Sequence, residues 1–179
     1  MTMSEAGIRG VRVYLNSKSS DELIEEIVTL VKTFPEVKEY YQVKLSPKGD
    51  SKALAKYQKI IRDEFFPAGG FGKLQLSNVH KALKNYKKIS DAVDGKVELM
   101  VYFVEQGAQF IQEFGDIDED FYESMESVYE EASKLVATHN LKRKWRDRFY
   151  DVVRDTDDTG YGFGDAIRAS FEEFFSDKK

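Results

Sequence analysis

Apolar residues along this chain recur at intervals of three and four, the period of a helix face, and strand-like alternation is hard to find. Ile8 to Asn16 predicts a short lead-in helix. SSDELIEEIVTLVKTF opens with Ser19 and Glu22 at capping-box spacing, and Leu23, Ile27, Leu30, Val31 and Phe34 form its expected core face. Pro35 suits the first turn of PEVKEYYQVKL, because a helix start leaves that amide unbonded anyway. Two helices should therefore meet at Phe34. After the SPKGD turn, SKALAKYQKIIRDEFF carries Leu54, Tyr57, Ile61 and Phe65 and stops at Pro67.

Beyond the next glycines, Ser77 is placed to cap NVHKALKNYKKI, with Val79, Leu83 and Tyr86 on one face. VELMVYFVEQGAQFIQEF is apolar on nearly all sides from Leu99 to Val104, the mark of a central buried helix. Asp118 can cap the following helix, whose seam is Phe121, Met125, Val128, Ala132 and Leu135. Leu141, Trp145, Phe149 and Val152 make another seam, and Phe163, Ile167, Phe171 and Phe174 the last. Short loops favour antiparallel neighbours. The expected fold is all-α, about eight helices in an up-and-down array, either an irregular bundle or a short α-solenoid. No repeat at a fixed period of about 34 to 47 residues is visible, which weighs against a regular helical-repeat array. One domain over 1–179 is expected, with 1–7 and 177–179 as disordered ends.

Composition narrows the function classes. The 179 residues carry a net charge of −5, with 33% charged and 41% hydrophobic, so the chain is neither a disordered polymer nor a globally basic nucleic-acid binder. It has no cysteine, which removes thiol nucleophiles and thiolate metal sites and fits a reducing compartment. With no apolar run of membrane length in the sequence, a soluble cytoplasmic protein is expected.

Four stretches carry candidate chemistry. FFPAGGFGK sets Gly70, Gly72 and Lys73 where a phosphate loop would, but a Walker loop needs Ser or Thr after its lysine, and Leu74 stands there. A turn is the plainer reading, with Pro67 ending one helix and Phe71 pointing inward. DTDDTGYGFGDA opens as a calcium loop does, yet its twelfth position, the bidentate glutamate, is Ala166. Gly162 and Gly164 then serve to turn the chain. Glu119, Glu123, Glu126 and Glu130 share one helical face, a solvated acidic surface or a dock for a basic partner. KRKWRDR sets Lys142, Arg143, Lys144, Arg146 and Arg148 around Trp145, a pattern that phosphate contact and base stacking would use. Trp145 also lies on a packing seam, so the cations instead form a solvated face or pair with acidic helices. His80 and His139, the two histidines, show no metal-ligand spacing. No cofactor or metal is expected.

Several long segments, SSDELIEEIVTLVKTFPEVKEYYQVKL, FFPAGGFGKLQLSNVHKALKNYKK, GDIDEDFYESMESVYEEA and DTDDTGYGFGD, resemble a family of small bacterial proteins known only as a domain of unknown function. The likeness runs from about Leu15 to Phe171. It implies a self-contained helical domain with fixed glycine turns, and brings no catalytic residues with it. The expected function is a non-enzymatic adaptor or regulator acting through protein–protein contacts. The alternatives are a nucleic-acid accessory protein using residues 142–148, and a small-ligand or phosphate binder at the glycine turns.

Overall fold

Helix formation follows the local signals closely. Ser19 Oγ accepts from the Glu22 amide while the Glu22 carboxylate accepts from the Ser19 amide at 2.7 Å, and Asp118 Oδ1 accepts from the Phe121 amide at 2.9 Å. Each pairing satisfies amides that a helix start leaves open. The computed structural model describes residues 7–176, so the expected disordered ends fall outside the described residues except for Gly7. Among the described residues there are nine helices and no strand: α1 (Ile8–Asn16), α2 (Ser20–Thr33), α3 (Pro35–Leu45), α4 (Gly49–Phe65), α5 (Leu76–Ile89), α6 (Val93–Phe114), α7 (Glu119–Thr138), α8 (Lys142–Asp155) and α9 (Phe163–Phe175). The fold is all-α, with one helix more than the approximate count.

The core is built around α6, whose residues from Leu99 to Val104 are all buried except Tyr102. It packs against α4, α5, α7 and α8, and α7 and α8 both pack against α9. A solenoid helix meets only its neighbours in the stack. One helix gripped from four sides makes this part of the molecule a bundle. The seams close over most of their length: Phe121, Met125, Val128 and Ala132 of α7, Trp145, Phe149 and Val152 of α8, and Phe163, Ile167 and Phe171 of α9 are buried, while Leu135, Leu141 and Phe174 are half-buried at their ends.

Three local expectations need correction. Ser77 does not cap α5; that helix begins at Leu76 with Gln75 before it, and the Glu64 carboxylate accepts from the Gln75 amide at 3.1 Å. Phe71 does not point inward; it is 79% exposed, its ring lying edge-on to Phe114 at 5.6 Å. The apolar face of α2 is not core either. Neither α1 nor α2 buries a single residue, and of the expected face Ile27, Leu30 and Phe34 are exposed, leaving Leu23 and Val31 half-buried.

Candidate interaction surfaces

The basic stretch of α8 is largely engaged inside the molecule. Trp145 is buried and its indole donates to Asp94 Oδ1 at 3.0 Å. Lys144 pairs with the same carboxylate at 2.8 Å. The Lys144 hydrogen bond, with that of Trp145, holds the Asp94 carboxyl below the usual carboxylate range against its partial burial. Arg146 donates to the Phe175 carbonyl at 2.6 Å, closing the end of α9. Arg148 grips Glu105 with two nitrogens, at 2.7 and 2.8 Å, and reaches Glu98 with a third. These bonds, chiefly those from Glu105, raise its already high pKa further. Lys142 and Arg143 form no ion pair among the described residues, so two of five cations remain free for a partner.

The acidic face of α7 does not meet α8's cations. Glu119 and Glu123 are exposed, Glu130 pairs with Lys134 one turn on, and neighbouring Glu131 pairs with Lys87 of α5 at 2.6 Å. Glu126 is half-buried; desolvation first, then the charge of Glu123, raises its pKa. The acidic and basic faces do not pair with one another, and Glu119, Glu123, Lys142 and Arg143 form no ion pair among the described residues.

Both glycine turns are built by close backbone approach. At Gly72 an added Cβ would stand 2.1 Å from the Glu64 carbonyl oxygen, and at Gly164 2.4 Å from that of Thr156. Gly70 and Gly162 have φ of +80° and +73°, and Lys73 is exposed. The chain folds back on the preceding helix end in each case. A cleft of about 370 Å³ beside the second turn is lined by Gln112, Gly115, Asp116, Arg154, Asp155 and Asp158, with nothing from residues 70–73. The two turns do not converge there. Asp157 of the calcium-like loop pairs with Arg168, and among the described residues no group of three or more His, Cys, Asp or Glu side chains is placed to hold a metal ion.

Two surfaces escaped sequence reading. One is a cleft of about 680 Å³ where α3, α4 and α5 meet, lined by Lys38, Lys56, Lys81, Lys88 and Glu39, with Tyr57 in its wall. Lys56 pairs with Glu39 at 2.8 Å, and Tyr57 donates to the same carboxylate at 3.0 Å. Its residues come from three helices, and no linear motif could have announced it.

The other surface is the arm formed by α1 and α2. Its apolar positions were visible, but their exposure was not. Ile8, Val11, Tyr14, Ile24, Ile27, Val28, Leu30 and Phe34 are exposed by between 36% and 75%. With residue areas of about 150–210 Å² this leaves roughly 700 Å² of these residues open, shared between the two helices. α1 lies along no other helix. Polar contacts tie its end to α2, Tyr14 donating to Glu26 at 3.3 Å and Lys18 pairing with Glu26 at 3.4 Å.

No helix among the described residues is long and apolar enough to cross a membrane. No curated protein and no solved structure matches the chain. A family model matches residues 6–170, nearly the whole length, in line with the resemblance carried by its long segments. The chain belongs to DUF6155, a family of unknown function.

Proposed function

We propose that this protein works without catalysis, as an adaptor or regulator in the bacterial cytoplasm, and that it acts through protein–protein contacts made by the α1–α2 arm. One observation carries the reading: two amphipathic helices bury none of their residues while eight large apolar side chains stand exposed on them. Apolar surface of this extent is costly in water, and covering it is the main drive of association. A nine-residue helix is also marginal by itself, so α1 gains from being covered. The absence of cysteine fits a reducing compartment. Nucleic-acid binding by residues 142–148 draws less support, since Lys144, Arg146 and Arg148 are already engaged.

A photo-crosslinking side chain at Ile27, in the cells that make the protein, tests this. One discrete protein adduct is expected, and it should vanish when Ile24 and Val28 are changed to Gln. The same probe at exposed Ala169, on α9, should give none. Absence of any adduct from Ile27, or equal adducts from both positions, would sink the reading.

A further inference from the structure

The arm carries a more specific pattern than exposure alone. On α1 the apolar residues Ile8, Val11 and Leu15 step by three and four, and Ile24, Ile27 and Val31 of α2 with Phe34 at its C-terminal end step by three, four and three. These are the two seam positions of a heptad. Leu23, Leu30 and Val28 flank that seam, widening the apolar face of α2 well past what one partner helix covers. Helices with so broad a face belong in four-helix packing, where each meets two neighbours. One chain supplies two of the four; α1 does not lie along α2 in the single chain, so the two come side by side only on pairing.

Charge points to the source of the other two. Between residues 8 and 34 the cations are Arg9, Arg12, Lys18 and Lys32 and the carboxylates Asp21, Glu22, Glu25 and Glu26, so the arm is neutral in a chain of net charge −5. Two arms therefore meet without like-charge repulsion. The carboxylates sit in the first half of α2 and Lys32 at its end, so an antiparallel mate brings the acidic half of one helix alongside the basic end of the other. A two-fold interface demands this self-complementarity. The open apolar area, roughly 700 Å², also matches the ~800 Å² that each partner gives to a standard interface.

We propose that the arm's occupant is a second copy of this chain, the two α1–α2 arms pairing about a two-fold axis into a four-helix bundle with α2 antiparallel to its mate and Ile27 beside the axis. This rests on the reading of the arm as the contact surface. Sedimentation equilibrium of the full chain from roughly 1 to 100 µM, a range in which interfaces of this size hold, should give twice the 20.6 kDa chain mass. The variant Ile24→Gln/Ile27→Gln/Val28→Gln alters exposed side chains only. It should keep its helical circular dichroism and weaken association by about 100-fold or more, the summed loss of three apolar burials. Because the chain has no cysteine, Ile27→Cys brings the sole thiol. Under mild oxidation it should form a disulfide-linked dimer far faster than Ala169→Cys.

Self-pairing is overturned by a mass that stays at 20.6 kDa throughout, by a triple variant that associates as well as the wild type, or by equal crosslinking of the two cysteine variants. In those cases an adduct of Ile27 with a different protein in cells leaves the contact-surface reading standing. No adduct at all removes both.

Discussion

Arg148 sits in a run of sequence-adjacent cations, yet its half-buried guanidinium is engaged within the molecule, bridging Glu98 and Glu105 of α6 from α8. Gln58 of α4 donates to Glu98 at 3.0 Å and joins the same network. Arg148→Ala leaves two half-buried carboxylates facing each other without a counter-ion, and should cost about 2–3 kcal/mol in denaturant unfolding. Arg148→Lys should restore less than half, because an ammonium cannot fork between two carboxylates as a guanidinium does. Glu126 makes the opposite case. Its folded pKa is raised by burial and by Glu123, so the folded state favours the protonated form, and at neutral pH the charged form is a cost. Glu126→Gln should therefore raise the melting temperature at pH 7, and the gain should fade as pH falls below the ordinary 4.5, where the wild-type carboxyl is protonated as well. A gain that persists unchanged at pH 3.5 would show that burial of the charge is not its source. Neither role was legible in the sequence, where Arg148 and Glu126 each read as one member of a charged face. The pairs that decide their roles lie 43 and 50 residues away or depend on depth.

Among the elements, helices and caps were legible because their signals are local: Ser19 with Glu22, Pro35 at a helix start, Asp118 before Phe121. Ser77 failed as a cap because Glu64, from the helix before, takes the amide at Gln75 and the side chain of Asn78, at 2.7 Å. Phe71 failed as a core residue because the GGFGK turn must pass close to the end of α4. The Leu74 amide donates to the Glu64 carbonyl at 3.0 Å, and the chain in between bows outward. Gly72 is explained by that approach and Gly164 by the like approach to Thr156, whereas Gly70 and Gly162 are explained by their positive φ. Gly72→Ala and Gly164→Ala should each cost about 2 kcal/mol or more, since their Cβ atoms would meet backbone that has nowhere to move. Gly69→Ala, with nothing within 4 Å, should stay within about 0.5 kcal/mol of wild type. Thermal or urea unfolding of the three variants would test the order. A destabilising Gly69→Ala would mean that the turn is held in a way that backbone proximity does not capture.

At the scale of the molecule, periodicity told which face of each helix is apolar and nothing about what covers it. The seams of α7, α8 and α9 close on α6 and on one another, whereas the equally regular stripe of α2 is covered only in part, at Leu23 and Val31, and leaves Ile27, Leu30 and Phe34 exposed. The molecule is thus a bundle with a large shared core and an arm that shares almost none of it. Helices with little burial open locally at low free energy, and core helices open only with global unfolding. In the dilute triple variant at Ile24, Ile27 and Val28, amides of α1 and α2 should exchange with solvent orders of magnitude faster than those of α6 between Leu99 and Val104. In the wild type at high concentration the arm's exchange should slow, while that of α6 stays where it was. Hydrogen exchange read by mass spectrometry separates the cases. Arm amides as slow as those of α6 in the dilute variant would mean that the arm is secured by its own chain, and its apolar stripe would then need no partner for its stability.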